Sequence, residues 1–368
     1  MAFAPISPLT VDGLPKFLSI GYHHLINQAI YTFAELGIAD RLIHAPSDHG
    51  FTVQEIIGDD QPQWNRDLLY RILRACIYGG IVESIHDDKH FILTASGSMM
   101  TSDHPSHVRD FIRLVFGPTS NSCNLQLPNM VRGEGTGSGI ARVSGGMDMY
   151  TFMTQPDQQE FARLFSGATT VLSMQNGSEL VTNVDFGRFK TMIDIGGNRG
   201  TFLAQILESY PSIQQGIVFD LPHVIDQFKN GEEFELRKIH KDKWNFVSGN
   251  VFDSSAIPSA DAYVLKHILH NFDDSQCLKI LSSIREANEN QKGKSTTIFI
   301  IDHIILPDGS LSNWQTHALD VIMAILFENA RERTQDECEQ LLKKAGFELK
   351  QMYPIQAPDS IIEAIVIH

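Results

Sequence analysis

Two histidines, His267 and His270, stand at the end of an apolar stretch in the segment DAYVLKHILHNFDD. An imidazole has a pKa of about 6.5, whereas a phenol like that of tyrosine has a pKa of about 10 and stays un-ionised at neutral pH. A histidine beside such a hydroxyl can therefore serve as a general base. The same pair could instead bind a metal ion or be structural. No third ligand with suitable spacing stands out, so we expect no metal site.

A glycine turn is the sharpest local motif, in the segment MIDIGGNRGTF. An apolar strand leads into Gly196, Gly197 and Gly200, and a helical pattern follows. Glycines allow the backbone to approach a ligand closely, and a helix N-terminus offers free N–H groups to an anion. The spacing differs from the dinucleotide GxGxxG pattern.

Asp220 ends the next apolar stretch, 20 residues after Gly200. An acid at that position can accept hydrogen bonds from both hydroxyls of a ribose. Alternatively, the turn is a plain strand–helix connection and Asp220 caps the helix that begins in LPHVI. Taken together, the glycine turn and Asp220 favour a nucleoside site.

Strands and helices must alternate to position these residues, and they do so from Lys190 onward. We predict strands at TMIDIG, QGIVFD, NFVSGN, DAYVLK and TTIFIID, with helical patterns between most of them. This alternation predicts an α/β fold with a parallel sheet and helices on both faces. ELKQMYPI and SIIEAIVI predict an antiparallel pair at the C-terminal edge.

The N-terminal part has a different pattern. LLYRILRACIYGG predicts a helix that stops at Gly79-Gly80, and GIVESI and KHFILT predict a hairpin joined by the turn HDD. Helices followed by a hairpin suggest a winged-helix-like module. The helix around YHHLINQAIYTFAELGI is apolar on more than one face, so we expect it to pack against a second copy of the chain. Residues 118–148 are rich in Gly, Ser and Asn and predict a loop-rich connector or lid.

Composition excludes several classes of partner. The net charge of −15 argues against a nucleic-acid partner, which needs clustered Lys and Arg. No apolar run reaches the roughly 18–20 residues that span a bilayer, and the N-terminus lacks a basic head and a long apolar stretch. The four cysteines are scattered without a CxxC pair. We therefore expect a cytoplasmic protein without a membrane partner.

Five ordered motifs carry a family resemblance: IDIGG, GIVFDLPHVI, GNVF, DAYVLKHILHNFDDSQCLKIL and RERTQDECEQLLKKAGF. Together they resemble the plant caffeate-type and animal hydroxyindole-type family of small-molecule O-methyltransferases, most closely over residues 190–350. The resemblance implies a Rossmann-like sheet that binds S-adenosylmethionine, preceded by a mainly α, winged-helix-like dimerisation domain. It suggests a dimerisation domain over residues 1–110, a helical and loop connector contributing to the substrate pocket over 111–185, and a catalytic domain over 186–368.

The resemblance also implies roles for individual residues. His270 matches the family's base, and Glu332 in RERT matches the acid that orients it. His303 stands where the family commonly has a second glutamate. The residues implied to bind S-adenosylmethionine are Asp194, Gly196, Gly197, Asp220, Leu221, Asn250, Val251, Phe252 and Lys266.

Three of these residues also have plain structural interpretations. Phe252 could pack in the core, Lys266 could lie on the surface, and Glu332 could be an exposed loop acid before the capping box that Thr334 and Glu337 predict.

Some positions depart from the family pattern. Asn198 replaces a usual third glycine, and Asn250 replaces a common aspartate. Asp302, beside His303, could replace the missing glutamate only if the strand shifted by one residue, which would reverse its side-chain direction.

The function that this pattern favours is methyl transfer from S-adenosylmethionine to a hydroxyl of a small phenolic or enolic molecule. One alternative is the same fold with bound cofactor catalysing a pericyclic, decarboxylating or hydroxylating step in secondary metabolism. Another is a catalytically silent homodimer that binds the cofactor. The presence of His270 favours methyl transfer, and the sequence does not identify the acceptor.

Overall fold

A computed structural model of the chain describes residues 12–86, 89–175, 177–289, 296–305, 314–353, 355 and 358–367. Two residues of the predicted HDD turn, at positions 87 and 88, lie outside these ranges. The chain divides into two compact units. The first runs to Asn121 and includes Asp157–Val171, and the second comprises Ser122–Pro156 and the chain from Leu172 onward.

The helices and strands are numbered in chain order. The helices are α1 Leu14–Glu35, α2 Ile38–Leu42, α3 Val53–Ile57, α4 Arg66–Tyr78, α5 Ala95–Ser98, α6 Val108–Val115, α7 Pro118–Asn124, α8 Leu127–Val131, α9 Gly139–Val143, α10 Met149–Met153, α11 Gln159–Gln175, α12 Gly177–Asn183, α13 Thr201–Ser209, α14 Pro222–Phe228, α15 Glu232–Leu236, α16 Asp274–Glu286, α17 Trp314–Leu326 and α18 Gln335–Lys344. The strands are β1 Phe51–Thr52, β2 Val82–Ile85, β3 His90–Leu93, β4 Thr191–Ile195, β5 Gln215–Asp220, β6 Trp244–Ser248, β7 Ala262–Lys266, β8 Thr297–Ile305, β9 Arg333–Thr334, β10 Phe347–Tyr353 and β11 Asp359–Val366.

The first unit contains the predicted helix and hairpin. Helix α4 begins where the Asn65 side chain accepts a hydrogen bond from the Leu68 N–H, and it ends at Gly79. Strands β2 and β3 pair antiparallel, and β1 adds a third strand on the other side of β3. We did not predict β1, because a two-residue strand is too short to show an alternating pattern. No helix in the described ranges is both long and apolar enough to cross a membrane.

The second unit is built on the predicted sheet, whose strand order is β10-β11-β8-β7-β4-β5-β6. The five strands β4 to β8 run parallel, and β11 is antiparallel to both β8 and β10. The predicted α/β fold with an antiparallel C-terminal edge is therefore confirmed. Because the carboxyl ends of the parallel strands share one edge, β4, β5 and β7 bring Ile195, Asp220 and Lys266 to the same side.

Alternation along the central strands divides the core between the two faces of this sheet. Ile193, Leu265 and Ile300 pack on the face covered by α16 and α18. Met192 and Val264 pack on the opposite face with residues of α12 and α13. Successive strand residues point to opposite faces, so a sheet covered on both sides needs apolar side chains at consecutive positions. Coverage of both faces therefore explains why the strand segments are almost continuously apolar in the sequence.

The stretch 118–148 is more ordered than the predicted loop. It contains α7, α8 and α9, and Ser138 caps α9 by accepting a hydrogen bond from the Ala141 N–H. Gly133, Gly135 and Gly137 have positive φ and separate α8 from α9. Our loop prediction was wrong there, because helices of five to seven residues give too few turns to show a helical period in the sequence.

A buried hydroxyl supports the edge of the sheet before β7. Tyr263 is fully buried, and its hydroxyl donates to the Pro258 carbonyl at 2.7 Å and accepts from Asn288 Nδ2 at 2.7 Å. The hydroxyl also accepts from the Ala260 N–H at 3.1 Å. We expect Tyr263→Phe to lower the free energy of unfolding by about 1–3 kcal/mol, because these partners lose a hydrogen bond. Urea unfolding followed by circular dichroism measures this change. Tyr78→Phe, which alters a side chain that is 55% exposed, is the control and should change stability by less than about 0.5 kcal/mol. Equal stabilities of the two variants would contradict the prediction.

Candidate active site

His270 lies in a short 3-10 turn, Leu269–Asn271, immediately after β7. Its carbonyl accepts a hydrogen bond from the Arg331 N–H at 3.1 Å. The buried Arg333 guanidinium donates to the carbonyls of Leu269 at 2.9 Å and Phe272 at 2.8 Å. Arg331 and Arg333, which flank or begin β9, therefore fix the turn through its backbone carbonyls. We did not assign a role to Arg333 from the sequence, although it lies inside the RERT motif.

Glu332 meets His270 in the interior of the second unit. The imidazole Nδ1 is 2.8 Å from Glu332 Oε1, and the two residues are 5% and 2% exposed. The parallel pairing of β9 with β8 and a hydrogen bond from the Glu332 N–H to Asp320 Oδ1 fix the carboxylate in place. Glu332 is therefore not an exposed loop acid. A carboxylate on Nδ1 favours the tautomer that carries hydrogen on Nδ1, which leaves the lone pair of Nε2 for a proton.

The structure resolves which of two neighbouring residues stands nearer the base. Asp302 Oδ1 is 3.9 Å from His270 Nδ1, whereas His303 points its Nε2 toward Asp359. We expected Asp302 to need a one-residue shift of the strand before it could replace the missing glutamate. No shift is needed, because Asp302 shares with Ile300 and Ile304 the face of β8 on which His270 and Glu332 lie.

Burial controls the charge of this group. Burial raises the pKa values of Glu332 and Asp302 above their ordinary range, the charge of His270 or His303 opposes each rise, and burial lowers the pKa of His270. The cause is removal of these groups from water, which disfavours their charged forms, and they line a small cavity of both apolar and ionisable residues. Its lining residues are Leu269, His270, Ile300, Asp302, Ile304, Arg331, Glu332, Arg333, Cys338 and Leu341. The neutral imidazole, which is the form that can accept a proton, is favoured.

The glycine turn follows β4 at the same edge of the sheet. Gly196 has φ of +66°, and a Cβ there would lie 2.3 Å from Ile268 Cδ1. The backbone N–H of Asn198 donates to one oxygen of Asp220 at 2.9 Å, and the N–H of Leu221 donates to the other at 2.7 Å. Asp220 is thus tied to the turn by the backbone. Asn198, which replaces the usual third glycine of the family, has φ of +52°. The chain therefore keeps the left-handed backbone conformation there with a non-glycine residue.

Two buried charged groups lie beneath the turn. Asp194 and Lys266 are 3% and 8% exposed, so Lys266 is not a surface lysine. Burial raises the pKa of Asp194 to about 7, and the positive charge of Lys266 opposes that rise. A Cβ on Gly197 would stand 2.8 Å from the Asp194 carboxyl carbon, so the glycine lets this acid pack directly against the turn.

The predicted adenine-side residues lie on the loop after β6. Asn250 Oδ1 accepts a hydrogen bond from the Phe252 N–H at 3.0 Å, and Val251 packs partly against the core. Phe252 is 38% exposed and meets Phe272 edge-on, with ring centroids 5.5 Å apart. Phe252 is therefore not a plain core residue, and its ring leaves an apolar face open.

Tyr150 is a neighbour of the site that the sequence did not reveal. Its ring stacks on Phe272 at 6.1 Å and lies 5.6 Å from Phe327. Burial raises the pKa of its hydroxyl, the nearby charge of Asp220 raises it further, and a hydrogen bond with Asn271 opposes both effects. It lies far from the motifs in sequence, and no local pattern distinguishes it from an ordinary core aromatic.

Sequence comparison gives the family. The family model described as O-methyltransferase domain matches residues 126–348. O-methyltransferase SfmM3 of Streptomyces lavendulae is 30% identical over 353 residues, which cover 94% of this chain and 98% of that protein. The 3'-hydroxy-N-methyl-(S)-coclaurine 4'-O-methyltransferase 2 of Papaver somniferum is 31% identical over 341 residues, with coverage of 90% and 88%.

Structural comparison agrees with this result. The crystal structure of human N-acetylserotonin methyltransferase in complex with SAM matches the fold with a TM-score of 0.81 at 22% identity, covering 98% of this chain and 99% of that one. The predicted family, enzyme class and cofactor are confirmed. The chain belongs to the O-methyltransferase domain family and is a methyltransferase that uses S-adenosylmethionine to methylate small molecules.

Proposed function

We propose that His270 is the general base that takes the proton from a hydroxyl of a small phenolic or enolic acceptor during methyl transfer. The observation that carries this proposal is the buried contact of 2.8 Å between His270 Nδ1 and Glu332 Oε1. Glu332 holds the ring in one orientation and one tautomer, so Nε2 is the accepting atom. The bound cofactor supplies an electrophilic methyl group on a positively charged sulfur.

Each bond in this step has a defined fate. The acceptor oxygen forms a bond to the methyl carbon, the pair of electrons in the broken carbon–sulfur bond stays on sulfur, and the hydroxyl proton goes to His270 Nε2. The resulting imidazolium is stabilised by the Glu332 carboxylate at Nδ1. Asp302, 3.9 Å from the same nitrogen, gives a second negative charge where the family has a glutamate. We therefore assign the supporting role that the sequence suggested for His303 to Asp302.

The residues around the glycine turn fit S-adenosylmethionine. Gly196 and Gly197 lie in the turn that leads to the N-terminus of α13, whose free backbone N–H groups suit the carboxylate of the methionine part. Asp220, at the carboxyl end of β5, suits the ribose hydroxyls, with Leu221 beside it. We assign the remaining contacts to Asp194, Asn250, Val251, Phe252 and Lys266, with the Phe252 ring against the adenine.

The proposal also covers the substrate pocket, the domains and the homodimer. We assign residues 111–185 to a connector that contributes to the substrate pocket, with Tyr150 as part of its wall. Residues 1–110 form the dimerisation domain and 186–368 the catalytic domain. Helix α1 supports a homodimer, because large apolar side chains along its first half are exposed: Leu14, Phe17, Leu18, Ile20, Tyr22 and Leu25. The four free, buried cysteines suit a reducing compartment such as the cytoplasm.

Replacing the base tests the catalytic assignment. We expect His270→Ala to lower kcat by about 10²–10⁴-fold, because the hydroxyl proton loses its acceptor. Glu332→Gln should cause a smaller loss, since the amide oxygen can still accept from Nδ1. A labelled-methyl screen with phenols, hydroxyindoles and polyketides identifies an acceptor and measures kcat.

The control for this experiment is calorimetry with S-adenosylmethionine, whose affinity both variants should retain.

In the parent enzyme, kcat should fall only below pH of about 6.5, because burial lowers the pKa of the base. Parent-like turnover by His270→Ala would overturn the assignment. If label never leaves the cofactor with any acceptor, a non-methylating or silent protein becomes the better hypothesis.

The glycine turn can be tested against a matched glycine. Gly145 has φ of +77° and a Cβ added there would meet nothing within 4 Å, whereas Gly196 has φ of +66° and faces Ile268. Alanine at either position costs roughly 1–2 kcal/mol for the left-handed backbone. Only Gly196→Ala should also weaken binding of S-adenosylmethionine, by about tenfold or more, which is about 1.4 kcal/mol. Calorimetry measures both variants, and equal affinities would refute the proposed location of the cofactor.

The homodimer can be tested by charging the exposed face of α1. Phe17 and Leu25 are 72% and 62% exposed in the single chain. We expect the double variant Phe17→Glu/Leu25→Glu to be a monomer in light scattering at about 10 µM, where the parent is a dimer, because four carboxylates cannot be buried in an apolar interface. Leu236→Glu, at a residue 67% exposed outside α1, is the control and should remain a dimer. A monomeric parent would refute the proposal.

A further inference from the structure

Three side chains converge beside the proposed base without a role in methyl transfer. His267 follows β7, His303 lies in β8 and Asp359 begins β11. Asp359 Oδ1 is 2.7 Å from His267 Nε2 and 3.2 Å from His303 Nε2, and the three potential ligand atoms all lie within 4.8 Å of one another. The antiparallel pairing of Asp359 with His303 brings them together.

We propose that His267, His303 and Asp359 form a binding site for a divalent transition-metal ion of the Zn²⁺ type. This inference goes beyond methyl transfer, which needs no metal ion. Bonds of about 2.0–2.1 Å from Zn²⁺ to nitrogen and oxygen place tetrahedral ligand atoms about 3.3 Å apart. The separation of 3.2 Å between His303 Nε2 and Asp359 Oδ1 is close to this value, whereas the separation of 2.7 Å between His267 Nε2 and Asp359 Oδ1 is that of a hydrogen bond and would have to lengthen when an ion binds. Two imidazoles and one carboxylate suit Zn²⁺ or Co²⁺ better than Ca²⁺ or Mg²⁺, and three protein ligands leave a fourth position open.

The charge around the cluster favours a cation. Besides Asp359, the interior of this edge holds Asp194, Asp302 and Glu332, each no more than 6% exposed. The buried cations among the described residues here are Lys266 and Arg333. Buried acidic side chains thus outnumber the buried basic ones at this edge, an environment in which a bound cation is better tolerated than an anion.

Lys266 would compete with a metal ion for the Asp359 carboxylate. Its Nζ is 3.8 Å from Asp359 Oδ2 and 3.3 Å from His267 Nδ1. Oδ1, the oxygen that both histidines face, is not the one closest to the lysine.

The backbone and the hydrogen bonds also single out this cluster. His267 has φ of +56°, a left-handed conformation that non-glycine residues seldom adopt, and its carbonyl accepts from Asn271 Nδ2 at 3.1 Å. Strained residues of this kind concentrate at ligand sites. His303 is 7% exposed, so its imidazole is largely shielded from solvent, like the other two members of the cluster.

The cluster lies next to the proposed base. The rings of His267 and His270 stack with centroids 5.4 Å apart and planes 19° apart.

Metal titration of the full chain without an affinity tag tests the proposal. The protein is first treated with a chelator and dialysed, then titrated with Co²⁺ by visible absorption and with Zn²⁺ by calorimetry. We expect saturable binding of one ion per chain and Co²⁺ bands of a low-coordinate nitrogen and oxygen site. We also expect Asp359→Asn and His303→Gln to weaken binding by more than the roughly 10–100-fold that loss of a supporting residue costs.

A matched control excludes adventitious surface histidines. His49 is exposed and pairs with Asp48 at 2.9 Å, so His49→Gln removes a similar but solvated histidine–carboxylate pair and should leave the affinity unchanged. Circular dichroism verifies the fold of each variant. If Asp359→Asn does not fold, His303→Gln and His267→Gln decide the outcome. Absence of saturable binding by the parent, or unchanged affinity in every folded cluster variant, would overturn the proposal.

Discussion

The contact of 2.8 Å between His270 and Glu332 is the interaction on which the rest of the site depends. Both groups are buried, so either one alone would be an unsatisfied polar group in an apolar cavity. The surrounding structure fixes both partners: Arg333 binds the carbonyls beside His270, and the pairing of β9 with β8 fixes Glu332. The sheet thus fixes the position of His270. Burial of the imidazole also lowers its pKa, which favours the neutral form that can accept a proton.

Much of the fold could be predicted because its signals are local. The apolar strands from Lys190 onward and the intervening helices specify the parallel sheet, and the box of Thr334 and Glu337 marks the start of α18. The glycine turn and Asp220 were predicted to act together, and a hydrogen bond from the Asn198 N–H of that turn to Asp220 joins them. Each of these features depends on residues within a few positions of one another or on a strand order that the βαβ pattern fixes.

The parts that could not be predicted depend on contacts between distant segments. Tyr150 joins the aromatic group of Phe272 and Phe327 through tertiary packing alone. The short helix α9 lies in the second unit, where its Gly139 packs against Ile325 of α17, whereas the surrounding glycine-rich sequence favours loops. Asp359 meets His267 across 92 residues, through a pairing of β11 with β8 whose register no local pattern specifies.

The neighbours Asp302 and His303 show how one strand can serve two polar groups. Successive strand residues point to opposite faces, so Asp302 lies 3.9 Å from His270, the proposed base, while His303 reaches Asp359. Matching the family motif position by position puts His303 at the glutamate and suggests that the supporting acid is lost. The geometry instead retains the acid one residue earlier and adds a histidine on the other face. His303 therefore adds the cluster with His267 and Asp359 to this edge of the sheet. Asp302 still provides an acid beside His270.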